Sequence, residues 1–443
     1  MTERRSSRLI GAIRAFRRER RVRKPTNTVV KGPKMPTTPP DLRTPPPRPA
    51  PPARPSGRRR PLGAVTAAVA MALLGAGCSS GPAEPESGPS SPGSASPSGS
   101  GSPSAASDAP PDKGSVEVVR TLATGLKSPW GLAPLPDGNL LVASRDEGEI
   151  VQVDGDSGKT SEAGQVPGVD AEGEGGLLGL ALSPDFATDQ LVYAYFTTAS
   201  DNRIASMRYD PKKPAGERLS APSTIFKGIP KGFTHNGGRI AFGPDKMLYV
   251  GTGETGDKGL AQDKKSLGGK ILRMTPEGEP AKGNPDQDSV VWSYGHRNVQ
   301  GLAWDEDRRL WASEFGQDTW DELNHIEKDG NYGWPDVEGE GDGDGDFRNP
   351  VEQWRTADAS PSGIAVAEGS VWMAGLRGER LWRIPLSGDK PSAKPQAFLE
   401  GEYGRLRTVV SAGGDKLWVV TNETDGRGSP EKDDDRILEV RVR

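Results

Sequence analysis

The chain carries one cysteine and three histidines in 443 residues, and its aromatic content is only 6%. A lone cysteine, Cys78, excludes an intramolecular disulfide and any metal centre built on a thiolate cluster. The histidines, His235, His296 and His325, form no HExxH motif, and the sequence holds neither a nucleophile elbow nor a phosphate-binding glycine loop running into a helix. Zinc hydrolases and nicotinamide-binding folds are thereby set aside. Helical periodicity is nearly absent. The one uninterrupted apolar run, Leu62 to Ala76, is too short for a comfortable membrane span.

Positive charge is also in deficit over most of the chain. Residues 1–60 hold 18 Lys plus Arg against 3 Asp plus Glu, and residues 61–78 hold no charge; with the whole chain at −4, the remainder sums to −19. A body that acidic repels nucleic acid and anionic lipid headgroups, so neither is expected as a partner of the folded part.

The first quarter is rich in Arg, Pro, Ser and Gly. Arg58, Arg59 and Arg60, the uncharged run and then Gly77-Cys78 follow the order of a bacterial export signal: basic segment, apolar segment, small-residue cleavage site. Cys78 after small residues resembles the lipobox of a bacterial lipoprotein, with Gly75 where that motif prefers an aliphatic residue. Two readings stay open, acylation at Cys78 or a plain signal followed by an incidental cysteine; acylation is the expectation adopted, with residues 58–78 as the signal. Residues 1–57 read as a basic, Pro-rich disordered arm or a mis-assigned start, and residues 79–114 as a flexible Ser/Pro/Gly tether. The expected location is a cell-surface lipoprotein anchored to the outer face of the bacterial cytoplasmic membrane, or secretion.

From Ser115 onward one theme recurs: an apolar pair, a Pro-Asp, Asp or Gly turn, then an alternating apolar strand. The copies begin at Gly131, Gly179, Arg239, Gly301, Gly363 and Thr408, and their separations of about 45 to 63 residues suit a four-stranded blade plus a variable loop. Each copy reads as a hairpin with period-two apolar strands. An open sheet of this size exposes long edges, whereas radial packing leaves only short ones. The expectation is an all-β, six-bladed β-propeller over residues 115–443, with Val116 to Val119 and Ile437 to Val440 sharing the blade that closes the ring.

Four arginines, Arg297 in GHRNVQG, Arg377 in GLRGER, and Arg405 and Arg407 in YGRLRT, sit beside strands of three different repeats. If they face the channel, they call for an anionic partner, since the guanidinium fork matches carboxylates; the alternative is ordinary surface ion pairing, worth little. His235, in THNGGR, lies on a loop leading into an inner strand and suits a base near neutral pH. Gly316 and Gln317, in EFGQD, begin an acidic glycine-containing loop able to offer backbone oxygens to calcium. The run EGEGDGDGD from Glu338 to Asp346 reads first as a solvated acidic loop and second as a further calcium site.

Taken together, EGEGGLLGLALSPDF, HNGGR, GHRNVQGLAW, SEFG, NYGWP, GLRG and RLR resemble the soluble sugar dehydrogenases that use pyrroloquinoline quinone (PQQ) with calcium, the glucose/sorbosone dehydrogenase type, and in pattern most closely the aldose sugar dehydrogenases. The resemblance runs from about Thr121 to Val440. It implies His235 as general base and Arg297 with Asn298 beside the reacting carbon of the quinone. It implies further cofactor contacts from Glu174, Arg377, Arg405, Arg407 and Asn422, and calcium ligation by the carbonyls of Gly316 and Gln317. Glu174 stands where Gln is expected, Asn422 where an acid is expected, Arg377 where the glucose enzyme has Lys, and Thr234 where it has Asp. The implied reaction oxidises an aldose at C1 to the lactone, electrons passing on to an external acceptor. The competing readings are a non-catalytic cell-surface propeller that binds sugar or protein, and a calcium-dependent lactone hydrolase on a similar ring.

Overall fold

A computed structural model describes residues 109–341 and 346–443. Cys78, the export signal, the basic arm and most of the tether lie outside the described residues, as do residues 342–345 of the acidic loop. Six separate antiparallel sheets follow one another along the chain. Their innermost strands are Pro129–Pro134, Leu177–Leu182, Ile240–Phe242, Val299–Trp304, Pro361–Ala367 and Leu406–Gly413. Each packs on the next and the last packs on the first, so the sheets form a closed, six-bladed β-propeller. Among the described residues no helix is long and apolar enough to cross a membrane.

The ring is closed by pairing the two ends of the domain in one blade. Val116–Ala123 lies antiparallel to Ile437–Val442, with Val116 opposite Val442 and Val118 opposite Val440. Packing starts slightly ahead of that strand, because Arg383 donates to the Pro111 carbonyl at 2.8 Å and the Gly114 N–H to Gln396 at 2.8 Å. The core is divided as radial packing requires: six apolar clusters, one between each pair of neighbouring blades.

The repeated glycine of the sequence has a geometric reason. A Cβ on Gly131 would stand 2.5 Å from the Leu178 carbonyl oxygen, and one on Gly179 2.3 Å from that of Gly238. Both obstructing atoms are backbone of the next blade. Blades converge on the axis, and there the strands approach too closely for a side chain.

Candidate active site

The innermost and second strands of a blade are antiparallel, so the loop before the first and the loop after the second emerge on the same face. On that face a cavity of about 580 Å³ opens at the axis. Loops ahead of innermost strands bring Glu174, His235, Arg297, Asn298 and Arg405 to its wall; loops behind second strands bring Arg145, Gly316, Gln317, Arg377 and Asp425. Arg407 reaches it from an innermost strand itself.

His235 has a φ of 55°, a left-handed conformation that ordinary residues rarely adopt and that surrounding contacts must hold. Its N–H donates to the Glu174 carboxylate at 2.8 Å, and the Glu174 N–H donates to the Phe233 carbonyl at 2.8 Å. The Asn298 carboxamide oxygen accepts from the Gly237 N–H at 2.9 Å and ties this turn to the arginine loop. The ring then meets Glu254, 1% exposed, with Nδ1 2.9 Å from Oε1. A carboxylate only accepts, so Nδ1 carries the proton and Nε2 presents its lone pair to the cavity.

The cavity is cationic inside an acidic protein. Arg297 is largely buried, and burial pushes its guanidinium below the ordinary value despite the nearby acids Glu254 and Glu314. It lies over the Trp334 ring at 5.5 Å and donates to the Phe315 carbonyl at 3.2 Å, but its Nε is buried without a partner among the described residues. Arg405 and Arg407 each donate to Asp425 at 3.0 Å. Burial would raise the Asp425 carboxyl, but Arg407 and Arg405 outweigh it and hold it below the usual range. These are buried pairs, not the surface pairs of the bland expectation. The Glu174 charge is met by Arg427 at 2.6 Å.

The backbone at Gly316 and Gln317 is turned by a carboxylate below it. Glu338 Oε1 accepts the N–H groups of Gln317, Asp318, Thr319 and Trp320 at 2.7 to 3.2 Å. In a trans peptide the carbonyl opposes the following N–H, so the oxygens of Gly316 and Gln317 point away from Glu338. Glu338 was expected in a solvated loop; it is half-buried and clamps its neighbour, because four amides outcompete water for its oxygen. Burial and the neighbouring Glu314 raise the Glu322 carboxyl close by.

His296 and His325 lie outside the cavity. The His296 ring bonds Ser293 at 2.8 Å and Glu314 at 2.7 Å, a hydrolase-like spacing, yet Ser293 and His296 are both fully buried. Glu314 also accepts the Arg297 N–H, so the group supports the arginine loop.

Asn422 does not reach the cavity. It lies behind Arg407, accepting from its Nε at 2.8 Å and donating to the Pro129 carbonyl, while the acid that this loop brings to the wall is Asp425, three residues on. Residues missed from sequence are Glu254, Arg145, Asp425, Arg427, Trp130 and Gln300. Arg145 follows the second strand of its blade as Phe315 and Gly316 follow theirs, a correspondence that aligning the repeats reveals. Nothing in the local sequence marks Glu254 or Arg427.

A propeller whose axis ends in a histidine–carboxylate pair and a set of buried arginines belongs to a class built to hold an anion beside a base. The chain belongs to the Glucose / Sorbosone dehydrogenase family, whose model matches residues 126–429. It is 30% identical over 340 residues to aldose sugar dehydrogenase YliI of Escherichia coli, covering 70% of this chain and 91% of that protein. It is 33% identical over 252 residues to quinoprotein glucose dehydrogenase B of Acinetobacter calcoaceticus, covering 50% and 52%. The PQQ-bound aldose sugar dehydrogenase structure from Streptomyces coelicolor superimposes with a TM-score of 0.75 at 72% identity, covering 76% of this chain and all of that one.

Proposed function

We propose that the protein is a quinoprotein dehydrogenase that oxidises an aldose at C1 to the lactone, using PQQ and calcium and passing electrons to an external acceptor. The observation that carries this is the His235–Glu254 pair at the wall of an arginine-lined cavity. The residues fit a polycarboxylate cofactor: Arg297 has an unused buried donor, and Arg377 forms no ion pair among the described residues. Arg297, Asn298, Arg377, Arg405 and Arg407 would hold it, and the Gly316 and Gln317 carbonyls would hold calcium. When bound, the quinone supplies the two-electron acceptor and calcium the Lewis acid.

His235 takes the proton of the anomeric hydroxyl on Nε2 as hydride leaves C1. Glu254 fixes the tautomer and stabilises the imidazolium that results. Arg297 places a fixed positive charge where negative charge develops. A non-catalytic ring has no need of the strained His235 turn. Among the described residues no group of three or more His, Cys, Asp or Glu converges as a metal site, so a lactone hydrolase reliant on ligating carboxylates gains no support.

The test is reconstitution: purified protein, PQQ and calcium, with dye reduction followed for several aldoses. Reduction is expected, and His235→Ala should lower turnover by about 10²- to 10⁴-fold with cofactor binding kept. Absence of both dye reduction and tight cofactor binding would leave the non-catalytic reading. The proposal extends to an exported domain tethered through a lipid at Cys78, checked by fatty-acid labelling that Cys78→Ser should abolish.

A further inference from the structure

Two of the six repeats lack the axial glycine. Where the others have Gly131, Gly179, Gly301 and Gly363, the third repeat has Arg239 and the sixth Thr408. These two side chains meet across the channel, Arg239 Nη2 donating to Thr408 Oγ1 at 3.1 Å. Nε donates to the Gln300 carbonyl at 2.7 Å, and the guanidinium carbon lies 4.3 Å from the centre of the Trp130 ring.

Arg239 is 8% exposed, yet no carboxylate balances it among the described residues. Its charged neighbour is Arg407, which also lies over Trp130, at 5.8 Å. Burial first and Arg407 second disfavour the charge. A guanidinium nevertheless keeps its proton at physiological pH, so in the empty protein this charge is destabilising. Trp130, Gln300 and Arg407 all line the upper cavity. On the other side Arg239 itself lines a second space of about 470 Å³, whose other lining residues carry no charge. An anion meets six arginines along the wall above and only Arg239 below.

We infer that Arg239 is the buried counter-charge of the cavity, left unbalanced in the empty protein and balanced when a polycarboxylate occupies the space above Trp130. It is a positioning residue that acts through Trp130 and Gln300 and by its field. This rests on the cofactor reading above.

The test compares Arg239→Gln, which removes the charge, with Arg239→Lys, which keeps it. PQQ binding is titrated by tryptophan fluorescence, and the melting of each ligand-free protein is recorded. The Gln variant should bind at least about tenfold more weakly than wild type and the Lys variant within about threefold, since Lys retains the positive charge and Gln does not. Ligand-free Arg239→Gln should melt no lower than Arg239→Lys. Equal affinities for the two variants would overturn the inference alone, as would a Gln variant that fails to fold, because the charge would then be serving the empty fold. Wild-type protein that binds no PQQ would remove the cofactor reading and the inference with it.

Discussion

Replacing Asp425 by Asn should destabilise the ligand-free protein and do so only where the carboxylate is ionised. Asp425 is 5% exposed and bonds both Arg405 and Arg407 at 3.0 Å. With the charge centres about 4 Å apart, each contact amounts to about 4 kcal/mol at an effective dielectric of 20, before desolvation is subtracted. Removing one partner of a buried pair costs about 3 to 5 kcal/mol, because the remaining charge is left unmatched. The folded carboxyl is held below its ordinary value, so its stabilisation is complete above about pH 4, the unfolded value, and disappears as pH falls through the folded one. Denaturant melts of both proteins from pH 7 down to pH 3 should therefore show a gap that narrows on acidification. Saturating PQQ should narrow it as well at pH 7, since the freed arginines gain ligand carboxylates. A variant as stable as wild type at pH 7, or a gap that widens in acid, refutes the reasoning.

Glu254→Gln keeps a hydrogen-bond acceptor for Nδ1 but not the charge; turnover should fall by about a hundredfold or more with sugar KM little changed, measured by steady-state kinetics. Gly131→Ala places a methyl 2.5 Å from the Leu178 carbonyl, backbone that cannot yield, and should cost about 3 kcal/mol in urea unfolding. Glu338→Ala strips the acceptor from four amides, and the rise in melting temperature on adding calcium should shrink sharply compared with wild type.

Much of the site was legible because its loops adjoin the repeats. His235 and Arg297 stand on the loops leading into innermost strands, and Arg377 follows a second strand, so the hairpin pattern alone assigns them to one face. Asn422 and Asp425 show the limit. They share one irregular loop, and no periodicity tells which of them turns to the axis; Arg407 decides it by taking Asn422 at its back and Asp425 in front.

What the sequence by itself determined is the number of blades, their strand pairs and the blade shared by the two ends. Turn chemistry and two-residue periodicity are local properties, and the axial glycines mark where strands crowd. Tertiary structure alone decided that Glu254 meets His235, that Glu338 turns the Gly316 backbone and that Arg239 stands uncompensated at the axis. Those depend on distances between residues from different loops and blades, which closure of the ring sets and no local pattern encodes.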